Sequence, residues 1–186
     1  MITTLSLSPF NYFFLNFLTF PLFFIFLIKK INLHNIFKFF FIYGWVFGFG
    51  YFLTNLYWIS ISLTFDQNFK FLMPFTIIFI PAFLAIFYGL VTTIFMILNP
   101  KKRILSSLLI FSLIFGVLEF IRGSILTGFP WNLIAYSFSE NIEILHIISV
   151  IGTYGFNLFC VSLFITPSLF ILKEKKIDIG VCVFFI

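Results

Sequence analysis

Charge is what this sequence has least of. Of its 186 residues only 9% are Asp, Glu, Lys or Arg, while 62% are hydrophobic and the mean hydropathy is +1.18. A soluble domain carries roughly 25% charged residues, so a water-solvated globule is excluded. Cysteine is nearly absent too. Cys160 and Cys182 both lie in apolar segments, with no CxxC and no histidine pair beside them. They read as small packing residues rather than a disulfide or a metal site. His34 and His146 stand without partners for metal binding or catalysis. No GxSxG, HExxH, P-loop or carboxylate dyad occurs, and nothing in the chain asks for a cofactor. The first hydrophobic run does not read as a secretory signal peptide, having neither a basic stretch ahead of it nor a small-residue cleavage site.

What fills the chain instead is a series of apolar runs of about 20 residues separated by short polar breaks, the pattern of membrane-spanning helices. The runs are continuous rather than alternating, which excludes a β-barrel. The fold class is therefore all-α, a polytopic transmembrane bundle forming one domain over residues 1–186. Hydropathy places spans at Pro9–Ile28, Phe37–Ser62, Phe71–Leu98, Ile104–Ile121 and Ile142–Leu172, with a sixth starting near Ile177. Pro74 and Pro81 interrupt the third, either kinking it or marking a short segment before a helix from Ala82. Phe accounts for 34 residues and reads as compositional drift, with Phe in place of Leu facing lipid. Gly44 and Gly48 form a GxxxG in the second span, a pattern of close helix packing.

The net charge of +5 suggests nucleic acid until its placement is considered. Lys29, Lys30 and Lys38 fill the first break, Lys101, Lys102 and Arg103 the third, and Lys173, Lys175 and Lys176 the fifth. Only Lys70 and Arg122 fall elsewhere. Basic loops stay in the cytoplasm, so the alternate loops, with Asp66 and with Glu140, face outward. The partners implied are membrane lipids, not nucleic acid. The ends are untidy on this topology. The first span would enter from outside behind only a short uncharged tail, and Ile177–Ile186 supplies roughly 15 Å of helix, half of a ~30 Å hydrocarbon core. Both ends read as cuts in a longer protein.

The scarce polarity concentrates in GVLEFIRGSILTGFPWNL, residues 116–133. Glu119 and Arg122 stand three apart and share a helix face. They are either an interfacial ion pair fixing the helix end or a charged patch at a cavity mouth, positioning a lipid headgroup or another domain. Gly123 and Gly128 permit conformations closed to other residues, Pro130 sets a turn and Trp131 anchors at the interface. The result is a shaped loop dipping at the outer surface. Asn55, Tyr57 and Trp58 read as an aromatic belt. Gly152, Tyr154, Gly155 and Asn157 read as packing and interhelical hydrogen bonding.

LEFIRGSILTGFPWNLIAYSF resembles the membrane-domain signature of bacterial apolipoprotein N-acyltransferase. Glu119, Arg122 and Gly123 match its first part, and Thr127, Gly128, Phe129, Pro130 and Trp131 its second; Ala135-Tyr136 stands where the family has GY. SPFNYFFLNFLTFPL, GFGYFLTNLYWISISL and IGTYGFNLF resemble the family as well, in the same order. The resemblance implies a multi-pass protein of the bacterial inner membrane, with eight helices and a periplasmic nitrilase-like domain between the last two. In that family a Glu–Lys–Cys set in the soluble domain takes an acyl chain from phospholipid. It passes the chain to the diacylglyceryl-cysteine amine of an apolipoprotein. The chain would hold the second to sixth helices and the start of the seventh, with no matching nucleophile. It would be inactive unless a separately encoded nitrilase-like domain joined it, and apolipoprotein would be a partner only of the complete enzyme. The eight motif residues are then supports for lipid or for the soluble domain, not catalysts. A small transporter or channel, or a structural scaffold, is the alternative.

Overall fold

The computed structural model describes residues 2–31, 37–99, 103–125, 128, 130–172 and 180. Among them every element is helical: α1 spans Asn16–Lys30, α2 Phe37–Ile61, α3 Met73–Leu98, α4 Ile104–Ser124, α5 Ile142–Ile165 and the short α6 Pro167–Ile171. Five helices are long and apolar enough to cross a membrane, the fifth running from His146 through α6 to Ile171. Apolar solvent leaves the backbone no partner but itself, so helices are the natural outcome of these runs. The chain is a multi-pass membrane protein. The sixth span expected from Ile177 lies outside the described residues.

Three expectations change in detail. The first span does not begin at Pro9: a 3-10 turn at Phe13–Leu15 leads into α1 at Asn16. Pro81 does not break the third span, since α3 runs unbroken from Met73, and Pro74 sits in its first turn where a missing N–H costs little. The break falls in the fifth span instead. Gly152 has φ 75° and ψ 164° within α5. A Cβ there would meet nothing within 4 Å, so glycine is needed for its backbone conformation rather than for space.

Consecutive helices pack antiparallel. Phe20 meets Phe47 and Phe26 meets Phe39 across α1 and α2. The Thr92 hydroxyl donates to Phe40 O at 2.6 Å across α2 and α3. Phe95 meets Phe111 across α3 and α4, and Phe120 meets Tyr154 across α4 and α5. Phe17 and Phe164 close the ring between α1 and α5 at 4.9 Å. Phenylalanine is thus not only a lipid-facing substitute for Leu. Phe20, Phe24, Phe95, Phe111, Phe115 and Phe164 are fully buried and pack largely edge to face, the arrangement the ring quadrupole favours.

The antiparallel order gathers Lys29, Lys30, Lys38 and Arg103 at one end and Asp66, Lys70 and Glu140 at the other. At that second end the chain before α1 folds over the bundle. Ser6 and Leu7 are buried, Thr4 and Thr54 share a hydrogen bond, and the Asn11 amide donates to the Glu140 carboxylate. In right-side-out vesicles, with the native cysteines changed to serine, an impermeant maleimide should label Asn68→Cys and spare Lys38→Cys. Equal labelling of both would remove the orientation.

Candidate functional site

Glu119 and Arg122 point into the bundle, not toward lipid. Both are buried, at 2% and 1% exposure, one turn apart near the C-terminal end of α4. The Arg122 Nε donates to Glu119 Oε2 at 3.1 Å, and Nη2 makes a shorter contact with the same oxygen. The guanidinium carbon lies 5.2 Å from the Phe52 ring centre, a cation–π contact. Tyr88 and Tyr51 are close enough for electrostatic interaction with the pair. The interfacial reading with the pair snorkelling to the surface is replaced by a buried ionic cluster. Removing two charges from water is costly, and it is offset only when the remaining hydrogen-bonding capacity is used.

Part of that capacity goes to the loop. Arg122 Nη1 and Nη2 donate to Trp131 O at 3.2 and 3.1 Å. The next carbonyl, Asn132 O, accepts from the Tyr51 hydroxyl at 2.9 Å. Three residues on, Ala135 N donates to Asn157 Oδ1 at 3.0 Å. Side chains of α4, α2 and α5 therefore each hold one backbone group of the same short segment. Tyr51 lies ten residues before the end of α2, roughly 15 Å along its axis, so the loop reaches well down into the bundle. Residues 133–135 and Phe138 are buried there, and Phe138 stacks on Phe164 at 5.7 Å.

The glycines have steric reasons. A Cβ on Gly123 would overlap the Tyr154 hydroxyl, and Gly128, at φ +79°, sits 2.5 Å from Gly123 O at its would-be Cβ. Asn132 takes φ 57°, which an Asn tolerates. Pro130 and Trp131 are exposed, and the Trp131 indole stacks on Trp58 at 5.3 Å. Tyr136 O–H donates to Pro130 O at 3.2 Å. Burial is the main cause raising its pKa, so it remains a protonated donor at neutral pH. Thr127 and Phe129 lie outside the described residues.

Tyr51→Phe leaves the half-buried Asn132 carbonyl without its phenol donor, a loss of about 0.5–1.5 kcal/mol. The expected result is faster amide hydrogen exchange across residues 133–138, with α3 unaffected. Unchanged exchange in that segment would show that the loop does not hang on Tyr51.

The family described as apolipoprotein N-acyltransferase N-terminal domain matches residues 1–165. The chain belongs to this family. An apolipoprotein N-acyltransferase of Rhodopseudomonas palustris is 40% identical over 131 residues, covering 69% of the chain and 24% of that protein. Those of Rhizobium rhizogenes and Rickettsia prowazekii are each 36% identical, over 142 and 135 residues, covering 75% and 72% of the chain and 26% of each relative. The chain spans about a quarter of the length of the curated relatives it matches. The N-acyltransferase family match takes in α1 to α5 and with them the whole ionic cluster and loop.

Sequence reasoning found Glu119, Arg122 and the glycines, and it missed their partners. Tyr51 and Asn157 lie in stretches noted for resemblance, GFGYF and IGTYGFNLF, where Asn157 was expected to bond another helix; it bonds the loop backbone. Phe52 lies in GFGYF as well but had no role assigned to it, and Tyr88 carried no signal. Cys160 is fully buried in α5, and Cys182 lies outside the described residues.

Proposed function

We propose that this chain is the membrane platform of an apolipoprotein N-acyltransferase in the bacterial inner membrane. The family reaction moves an acyl chain from a phospholipid to the α-amine of a lipoprotein's diacylglyceryl cysteine. A thiolate attacks the phospholipid ester, a thioester forms and the lysophospholipid alcohol leaves with a proton. The lipoprotein amine then attacks the thioester, forming an amide and releasing the thiol. The platform takes no covalent part in these steps. Its role is to hold a stiff loop at the outer lipid surface, where phospholipid reaches the enzyme and a nitrilase-like domain carrying Glu, Lys and Cys rests.

The observation that carries this reading is the double hydrogen bond from buried Arg122 to Trp131 O, which fixes the outward-facing part of the loop against the bundle. Cys160 supports it from the other side, since a thiol with no exposure cannot meet a lipid ester. The test is to express residues 1–186 alone and together with the nitrilase-like domain of a relative, then follow a diacylglyceryl peptide by mass spectrometry. Alone, no acylated product is expected. With the partner domain, one acyl chain should be added, and Arg122→Ala should abolish the addition. Transfer by the chain alone would overturn the proposal.

A further inference from the structure

We infer that the tip of the α2–α3 hairpin is a lipid-anchoring surface: Phe65, Phe69 and Phe71 lie within the leaflet at their end of the bundle instead of standing in water. The inference concerns how this chain sits in a bilayer, and it holds whatever reaction the chain serves. The hairpin is longer than a membrane needs. Its two apolar stretches, Phe37–Thr64 and Gln67–Leu98, are 28 and 32 residues long, roughly 42 and 48 Å at 1.5 Å per residue against a ~30 Å core. Helix α4 has 21 residues and matches that core. The excess lies at one end. The Arg122 guanidinium reaches the Phe52 ring and α4 stops soon after, at Ser124, whereas α2 runs on to Ile61 and a 3-10 turn to Thr64.

Trp58 and Trp131, stacked and about half exposed, mark the aromatic level at which spans meet their interface. Gly44 sits against Thr92 and Tyr88 O, and Gly48 against Tyr88 and Ala85. Carried along both helices, that register sets Trp58 beside about residue 77 of α3. Phe65, seven residues past Trp58, and Phe71, on the returning strand of the hairpin, therefore stand roughly 10 Å beyond the tryptophans. None of the residues in the turns Ser62–Thr64 and Gln67–Leu72 is buried. Phe65 is 90% exposed and Phe71 74%. An apolar cluster this bare calls for a partner.

The partner is lipid because the cluster continues the lipid-facing side of α3. Phe71 leads at helical spacing into Phe75, Ile78 and Phe79, all exposed, with Phe75 and Phe79 stacked at 4.9 Å. One solvent covers the whole stripe if the hairpin leans. From Phe71 to Leu98 it measures roughly 40 Å, and a lean of about 40°, the upper end for spanning helices, fits that length into a ~30 Å core. The polar groups of the tip are compatible with this depth. The Ser62 and Thr64 hydroxyls donate to Ile59 O and Ile61 O of their own helix, at 2.6 and 2.7 Å, and the Asp66 carboxylate accepts from Asn68 N at 2.9 Å. Asp66 and Lys70 cancel in charge and can reach the headgroup layer. The anchor would fix the end of α2, which carries Tyr51 and Trp58, the two residues that meet the loop.

The test is spin labelling of the full chain in liposomes of palmitoyl-oleoyl phosphatidylcholine, with the native cysteines changed to serine. Phe65→Cys and Phe71→Cys are labelled one at a time, so each variant keeps two of the three phenylalanines. Val46→Cys, exposed in the middle of α2, gives the value for full immersion. Collision with oxygen, which concentrates in lipid, is compared with collision with a water-soluble nickel chelate. At both tip sites the oxygen-to-nickel ratio is expected to exceed that of free label in buffer by about threefold or more, approaching the value at Val46→Cys. A ratio at either site equal to that of free label would place the tip in water and overturn the anchor. Protection from both reagents, or spin–spin broadening that disappears on dilution with unlabelled chain, would mean that protein covers the tip and would overturn it as well. No acyl transfer is measured, so failure here leaves the proposed function standing, and loss of transfer leaves the anchor standing.

Discussion

Arg122→Met is expected to destabilise the protein severely while Glu119→Leu with Arg122→Met recovers most of the loss. The single change leaves a carboxylate buried at 2% exposure without its cation. Breaking a buried pair in this way costs about 3–5 kcal/mol, whereas replacing both partners by apolar residues of similar volume is often neutral or stabilising. A charge near mid-bilayer adds roughly 2.5–3.5 kcal/mol on insertion scales, which falls toward the helix end where these residues lie. The measurement is the thermal midpoint of monodisperse protein in detergent by fluorescence-detected chromatography. A single variant as stable as wild type would show that the pair is not buried. A double variant no better than the single would show that the damage comes from lost packing. The double variant has a second use. It keeps the bundle but removes both hydrogen bonds to Trp131 O, so the loop loses its α4 support in a folded protein. Acyl transfer with the partner domain should stay abolished in it. That separates what the pair does for the loop from what it does for stability.

The helices were legible because a ~30 Å apolar slab demands about 20 apolar residues, and α2, α3 and α4 answer that demand with few interruptions. What hydropathy misplaced is the tail SPFNYFF. It is as aromatic as a span, yet Pro9 cannot donate and Asn11 adopts φ 55°, and the segment turns to cover the bundle instead of crossing. Glu119 and Arg122 were recognised as sharing a face by their spacing. Which way that face points was not available, because a helix apolar all round carries no stripe to orient it. The same symmetry hid Tyr88, one aromatic among many in α3. Gly152 was noted as a residue but not as a bend, since a glycine needed for packing and one needed for positive φ look alike in sequence. The loop's descent toward Tyr51 was the least legible feature. It depends on three helices supplying partners from residues 81, 9 and 22 positions away, at Tyr51, Arg122 and Asn157.

Gly44→Val is expected to be as damaging as the loss of Arg122, and for an unrelated reason. α2 and α3 approach so closely at Gly44 that an added Cβ would overlap both Tyr88 O and the Thr92 side chain; at Gly48 it would lie 2.8 Å from the Tyr88 Cβ. Tyr88 O is backbone and cannot move aside, so the two helices must separate. Separation would break the Thr92 hydroxyl bond to Phe40 O, 2.6 Å long, and pull Tyr88 away from Glu119. Overpacking of this kind costs about 1–3 kcal/mol for the strain, and losing a buried hydrogen bond adds about 1–3 kcal/mol. Gly123→Ala provides the contrast. Its added Cβ meets chiefly the Tyr154 hydroxyl, the far end of a side chain, so Tyr154→Phe in the same protein should restore most of the stability. Thr92→Ala should restore little to Gly44→Val, because the backbone overlap remains. Thermal midpoints of the two pairs decide the matter: rescue of Gly44→Val by Thr92→Ala would mean that the approach of α2 to α3 is not limited by the Tyr88 main chain, and no rescue of Gly123→Ala by Tyr154→Phe would mean that the Tyr154 hydroxyl is not what Gly123 makes room for.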